Sequence, residues 1–238
     1  MANAVTVDDA ATKASHVASK CYANEGNPAV VDAVPQSATT VLDVGCGAGD
    51  NARLLHSRGK VVDGITLSQP ESTEAERWCR RVIIADLEGG LPTPVANDTY
   101  DACICSHVLE HLRWPEELLG QIRLRLSPQH AGVTQLVIAL PNIMFYKTRW
   151  NLIMGRFDYA SGGIMDASHF RWFTFDTGRR LIEQSGFRVL RAIGTGGVPL
   201  SIFRRVLPSS VQSAIDKTAV ALRPGLFAGQ MIFEACVA

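Results

Sequence analysis

An excess of charge of either sign is missing from this chain. Lys and Arg together number 23, Asp and Glu also 23, and the formal net charge is zero. A general nucleic-acid binder needs a basic surplus to displace phosphate counterions, so nucleic acid is not an expected partner. Any apolar run approaching the roughly 18 residues of a membrane-crossing helix is also missing, so no membrane span is expected. Among Cys21, Cys46, Cys79, Cys103, Cys105 and Cys236 there is no C-x-x-C pair, which argues against a zinc ribbon or a thioredoxin-type redox centre. Met1 to Ala14 contain two aspartates and no apolar core, so they do not read as a secretory signal. Buried thiols in a reducing cytoplasm are the expectation. No fixed-period repeat and no low-complexity tract interrupts the sequence.

What is present is a globular composition, 47% hydrophobic and 19% charged over 238 residues, long enough to bury a core without staples. Short apolar runs alternate with amphipathic segments, which points to an α/β fold with a parallel sheet. The expected strands are Thr40–Val44, Val61–Thr66, Val82–Ala85, Ala102–Ser106 and Gln135–Leu140, with helices starting near Asp50, Gln69 and Pro115. Leu118, Leu119, Ile122 and Leu126 recur at helical spacing and predict a buried face on the third of these. Cys103 and Cys105 alternate along their strand and share one side of it. After Pro141 the character changes, and Asn142 to Thr174 is rich in aromatics, Arg and Gly. That segment predicts a cap of loops and short helix, whose aromatics are mostly expected to form the cap's own core. A helix near Asp176–Ser185 should end at Gly186, and Phe187–Ile193 and Gln230–Val237 read as the last strands.

The strongest motif is Val41-Leu42-Asp43-Val44-Gly45-Cys46-Gly47-Ala48-Gly49-Asp50, an apolar strand running through a glycine turn into a helix. Glycines there let backbone approach a ligand and leave helix N–H groups facing it. The spacing is G-x-G-x-G, not the G-x-G-x-x-G of a dinucleotide site, and Asp50 stands where the third glycine of that fingerprint belongs. An anion suits a pyrophosphate poorly. A ligand with an ammonium and a sulfonium fits better, and an NAD-dependent oxidoreductase is disfavoured on these grounds.

At these residues the chain resembles the class I S-adenosylmethionine (SAM)-dependent methyltransferases, whose first motif is acidic-x-G-x-G-x-G after strand one. The resemblance runs from about Asn27 to about Val189. It implies a Rossmann-like seven-stranded, mostly parallel sheet with a reversed final hairpin, helices on both faces and a small substrate cap. It further implies one domain over 1–238, with a cap at about 141–175 and a second helical insertion at about 196–228. By this likeness Gly45, Gly47 and Gly49 contact SAM, and Asp43 orients its ammonium end. The second strand departs from the family, with Thr66 where an acidic ribose partner usually stands; Asp63 lies three residues earlier, on the other face. A similar Gly-x-Thr-Leu-Ser run occurs in the cyclopropane-synthase-like branch, so Thr66 or Gln69 is expected at the ribose or methionine end. Asp86 is expected on the adenine amino group with the Leu87 backbone beside the ring, the alternative being an Asp that caps the following turn.

Ser106 and His107 end the fourth strand, where ligands bind in such sheets. Leu109-Glu110-His111 resembles a triplet common after the fourth motif of small-molecule methyltransferases, and His111 is expected to be structural. Pro141-Asn142, then Gly155–Tyr159, then Asp166–Thr174 together resemble a methyltransferase branch found with glycan and secondary-metabolite pathways, to which the methionine-biosynthesis protein W group is related. Methyl transfer to a hydroxyl gains from a base, and His is the natural one near neutral pH. His169 is the first candidate and His107 the second. The expected activity is SAM-dependent methylation of a small-molecule acceptor, at oxygen on a sugar-like or secondary-metabolite hydroxyl. The alternatives are N- or C-methylation, a lipid-type acceptor, and a non-catalytic SAM-binding regulatory partner. The sequence leaves the oligomeric state open.

Overall fold

The computed structural model describes residues 25–130, 132–199 and 207–238. Cys21, the N-terminal stretch read for a signal, and 200–206 of the expected second insertion lie outside them. The strands are β1 Thr40–Val44, β2 Val61–Thr66, β3 Arg81–Ile84, β4 Ala102–Ser106, β5 Leu136–Pro141, β6 Phe187–Gly196 and β7 Ala228–Val237. The helices are α1 Pro28–Ala33, α2 Asp50–His56, α3 Gln69–Ala75, α4 Thr93–Ala96, α5 Pro115–Arg123, α6 Tyr146–Ile153, α7 Phe175–Gln184, α8 Ser209–Leu222 and α9 Pro224–Phe227. β1, β2 and β4 keep the expected bounds, and α2, α3 and α5 start at the expected residues. β3 and β5 are each displaced by one residue. Gly186 takes φ +85° and donates its N–H to the Glu183 carbonyl at 3.1 Å, closing α7 as the sequence predicted.

The strands form one seven-stranded sheet in the order β3-β2-β1-β4-β5-β7-β6. β7 runs antiparallel to both β5 and β6, which is the expected reversal, although α8 and α9 separate the two last strands. Strand alternation sorts the core. Val41, Ala102, Ile104 and Val137 face one layer, where they meet Val30, Val31, Ala52 and Leu55. Leu42, Val44, Cys103, Cys105, Leu136 and Ile138 face the other, against Leu118, Leu119, Ile122, Leu181 and Ile182. A sheet buried on both faces needs near-continuous apolar strands, and these strands supply them.

The cap corrects one expectation. Most of its aromatics are not buried: Trp150, Phe157, Tyr159 and Phe170 are 50–62% exposed, although Phe157, Tyr159 and Trp172 touch ring to ring, and α6 buries only Thr148. The strip is held by polar contacts: the Phe170 N–H donates to the Glu110 carbonyl at 2.9 Å, and its two ends are tied as well. Buried Asn142 donates from Nδ2 to the Ala228 carbonyl at 2.8 Å, and Asn142 also bridges to Phe173.

Asp63 is buried on β2, facing away from the glycine turn's ligand side, and it is fully answered. Arg80 donates to both its oxygens at 2.8 and 2.7 Å, Arg81 Nε reaches it at 2.9 Å and the Tyr100 hydroxyl at 2.7 Å. Burial alone raises a carboxylate's pKa, yet the Arg80 and Tyr100 hydrogen bonds and both guanidinium charges hold Asp63 below its ordinary value. The knot ties β2 to the start of β3 and to Tyr100 before β4. Because the arginines are themselves partly exposed, Asp63→Asn should cost about 1–3 kcal/mol near pH 7. A depressed pKa stabilises the fold above the unfolded value and ceases to do so as pH falls through the folded one. The gap between wild type and Asp63→Asn in urea denaturation should therefore close below about pH 4.

Candidate active site

The sheet order reverses between β1 and β4, and a crevice outside the carboxyl ends of strands forms at such a point. The glycine turn sits there. Gly45 has φ +76° and passes so close to Val108 that a Cβ would lie 2.3 Å from its methyl carbon. Gly49 has φ +83°, forms the N-cap of α2, and would place a Cβ 2.8 Å from the Ala75 Cα. Any L side chain at either position meets both a strained backbone and an occupied space. The Cys46 N–H donates to the Ile65 carbonyl at 2.8 Å, pinning the turn to the end of β2.

Beneath this turn lies Asp43, 0% exposed, with no hydrogen-bond partner on either carboxylate oxygen. Burial pushes its pKa up to about 7. An unanswered buried carboxylate is costly, so its persistence here points to a ligand with positive charge. The ammonium of an amino acid is such a group.

At the end of β2, Thr66 is buried and its hydroxyl donates to Glu71 Oε2 at 2.6 Å. Glu71 is itself buried on the first turn of α3. A carboxylate is therefore present where the sequence pattern lacked one, delivered by the helix after the strand. Gln69 is exposed at the start of α3. At the end of β3, exposed Asp86 accepts from the Glu88 N–H at 3.0 Å and caps a short 3-10 turn over Leu87–Gly89. Leu87 is half-buried against the core.

Ser106 closes β4, and His107 follows with φ +57°, alone among the described non-glycine residues in that region. His107 Nδ1 lies 3.1 Å from Glu110 Oε1, and Nε2 lies 2.7 Å from Gln230 Oε1. Gln230 Oε1 also accepts from Asn27 Nδ2, so the amide presents an acceptor to the ring. Burial opposes charge on His107, but the Glu110 carboxylate and Gln230 outweigh it and raise its pKa.

His169 is elsewhere. It is 8% exposed in the seam between the cap and the Leu109–His111 turn, with Nδ1 3.2 Å from the Ile164 carbonyl. Its ring stands edge-on to His111 at 4.7 Å between centroids. Burial and then the His111 charge lower its pKa. The structure thus gathers Asp43, the glycines, Thr66, Ser106 and His107 at the strand ends, while His169 pairs with His111. Glu71, Glu110 and Gln230 complete these sites without having been singled out as site residues from sequence.

A family model described as a methyltransferase domain matches residues 19–192. The chain belongs to this family. The ubiquinone biosynthesis O-methyltransferase of Chromobacterium violaceum is 31% identical over 118 residues, covering 44% of this chain and 49% of that protein. The chain thus spans about half the length of the curated relative it matches. Among solved structures, a SAM-dependent methyltransferase from Archaeoglobus fulgidus aligns over 85% of this chain and 87% of its own, with TM-score 0.59 and 20% identity. Magnesium protoporphyrin IX methyltransferase from Synechocystis, with bound SAH, covers 100% and 90% with TM-score 0.57 and 16% identity. At these identities the structures establish a shared fold.

The residues of this methyltransferase domain fit SAM. The buried, unpartnered carboxylate of Asp43 is of a kind to answer its ammonium, beside a turn whose Gly45 and Gly49 carry no side chain. A pKa raised in the folded state means that the fold loses stability as pH climbs from about 4 towards 7, while the charged form that binds a cation accumulates. Asp43→Asn should hold or raise the melting temperature of the free chain and weaken SAM at least about tenfold. By calorimetry, wild-type affinity should rise between about pH 6 and 8 and that of the variant should stay flat.

Proposed function

We propose that this domain transfers the methyl group of SAM to a hydroxyl of a small molecule, sugar-like or a secondary metabolite, in the cytoplasm and with one catalytic domain spanning the chain. The buried, unanswered Asp43 carries the cofactor half of this reading. The O-methyltransferase relative, matched over half its length, supports oxygen as the acceptor atom.

Asp43 holds the ammonium, with Gly45, Gly47 and Gly49 along the amino-acid half. Thr66, backed by Glu71, and Gln69 serve the ribose, and Asp86 and Leu87 serve the adenine. Ser106 lines the reacting end. SAM supplies an electrophilic methyl carbon and a neutral thioether leaving group. The chain must hold the acceptor oxygen in line and remove its proton, and such positioning accounts for much of the rate in reactions of this kind. Of the two candidate bases, His107 suits the task better than His169. It is half-exposed at the mouth of the crevice, whereas His169 is enclosed with its Nδ1 tied to a carbonyl. Glu110 fixes the His107 ring through Nδ1, in the manner of a carboxylate orienting a catalytic imidazole. The acceptor hydroxyl then takes the position of Gln230 Oε1 at Nε2.

A base must be neutral, and the raised pKa of His107 makes that form predominate only above its ordinary value of 6.5. Turnover should therefore rise with pH through a limb above 6.5. His107→Gln should remove the limb and lower kcat by about 10²–10⁴-fold while leaving SAM affinity intact. The activity itself is tested with methyl-labelled SAM and a small-molecule extract of the source cells. Label on an oxygen of a small molecule supports the reading. Label on nitrogen or carbon redirects it to the other acceptor atoms, and label bound but never transferred overturns it in favour of a regulatory role.

A further inference from the structure

The seam between the cap and the turn after β4 holds a second constellation, of which His111 and His169 have no part in the proposed methyl transfer and Glu110 turns only its other oxygen to His107. Glu110, His111 and His169 each offer one donor atom within 4.8 Å of the others. Glu110 is 0% exposed, and its Oε2 has no hydrogen-bond partner, while Oε1 faces His107. A buried carboxylate oxygen with nothing to accept from is the observation that calls for a ligand.

The hydrogen bonds around the two histidines fix where their lone pairs lie. The Ile164 carbonyl can only accept, so His169 Nδ1 carries the proton and Nε2 the lone pair. Ser168 Oγ gives its single proton to Asp166 Oδ1 at 2.5 Å. It therefore accepts from His111 Nδ1 at 3.1 Å, which again leaves the lone pair of the neutral ring on Nε2. Burial works against the charge of Asp166, but two bonds from Ser168 hold its pKa down, so it remains an acceptor at the end of this relay. A ring N–H engaged by a carbonyl, or by a hydroxyl backed by a carboxylate, is the support that metal-bound histidines have.

We infer that Glu110, His111 and His169 bind one divalent transition-metal ion of the Zn²⁺ type. Two imidazoles and one carboxylate form a donor set that suits Zn²⁺ and leaves a fourth position for water or an acceptor oxygen. A tetrahedral set at ~2.1 Å has donors about 3.4 Å apart, so the side chains close on the ion by small rotations. The ion satisfies Glu110 Oε2 and fastens the cap strip at 164–171 to the 3-10 turn Leu109–His111. Hard oxygen-seeking ions such as Mg²⁺ suit two imidazoles less well.

The test uses the full chain stripped with EDTA, and no readout depends on methyl transfer, so its failure is separate from failure of the proposed activity. Calorimetry with Zn²⁺ should give one equivalent per chain, and Zn²⁺ should raise the melting temperature. Co²⁺ should give visible d–d bands of a nitrogen and oxygen site, without thiolate charge transfer in the near ultraviolet. Glu110→Gln and His169→Gln should each weaken binding at least about tenfold. No uptake by the wild type, unchanged uptake in Glu110→Gln, or a thiolate band that moves the ion to Cys46 and Cys79 would overturn the inference. Should the variants fail to fold, the wild-type Co²⁺ spectrum decides on its own.

Discussion

The strand β1 turns into α2 within a few residues, and that turn works only because two backbone positions carry no side chain. Gly45 lets the Val108 side chain lie against the strand end, and Gly49 lets the backbone of α3 reach the start of α2. Three segments from distant parts of the chain therefore converge on one point: the end of β1, the loop after β4 and the helix after β2. The crevice at the sheet's switch point takes its shape from this contact. A methyl group added at either glycine disturbs two elements at once, so the turn is a joint of the fold.

Two buried aspartates on neighbouring strands show how one chemical group is given opposite work. Asp63 has four donors in reach and is held ionised. Asp43, across the β1–β2 pairing, has none and is pushed towards its neutral form. The first is part of the scaffold. The second retains unsatisfied capacity in a site shaped for it, which is the usual mark of function over stability. Glu110 stands between them, with one oxygen answered by His107 and the other open.

Most of the sheet was legible in the sequence because its signals are local. Apolar runs, the glycine turn and Pro115 before Glu116 and Glu117 set the first five strands and the starts of α2, α3 and α5 within a residue, while β6 runs three residues further than expected and β7 starts two earlier. The partnerships were not legible, because they join residues far apart in the chain or in different elements. The end of β2 looked to lack a carboxylate until α3 brought Glu71 against Thr66. His169 looked like a free base because its spacing said nothing of His111, which only the docking of the cap strip on the turn brings beside it. The cap aromatics looked like a core, since burial was assigned by residue type, yet Trp150, Phe157, Tyr159 and Phe170 stand exposed and only Phe173 joins the buried core.

On the proposed function Asp43 would also bear on turnover. It would grip the end of the cofactor that the reaction leaves untouched: after the methyl group has gone, the by-product still bears the same ammonium. A carboxylate in that place would not tell fresh donor from exhausted donor, and the better it anchored one, the longer it would detain the other. Escape of the by-product, and the vigour with which its surroundings clear it, would then set the pace as much as the chemistry at the strand ends.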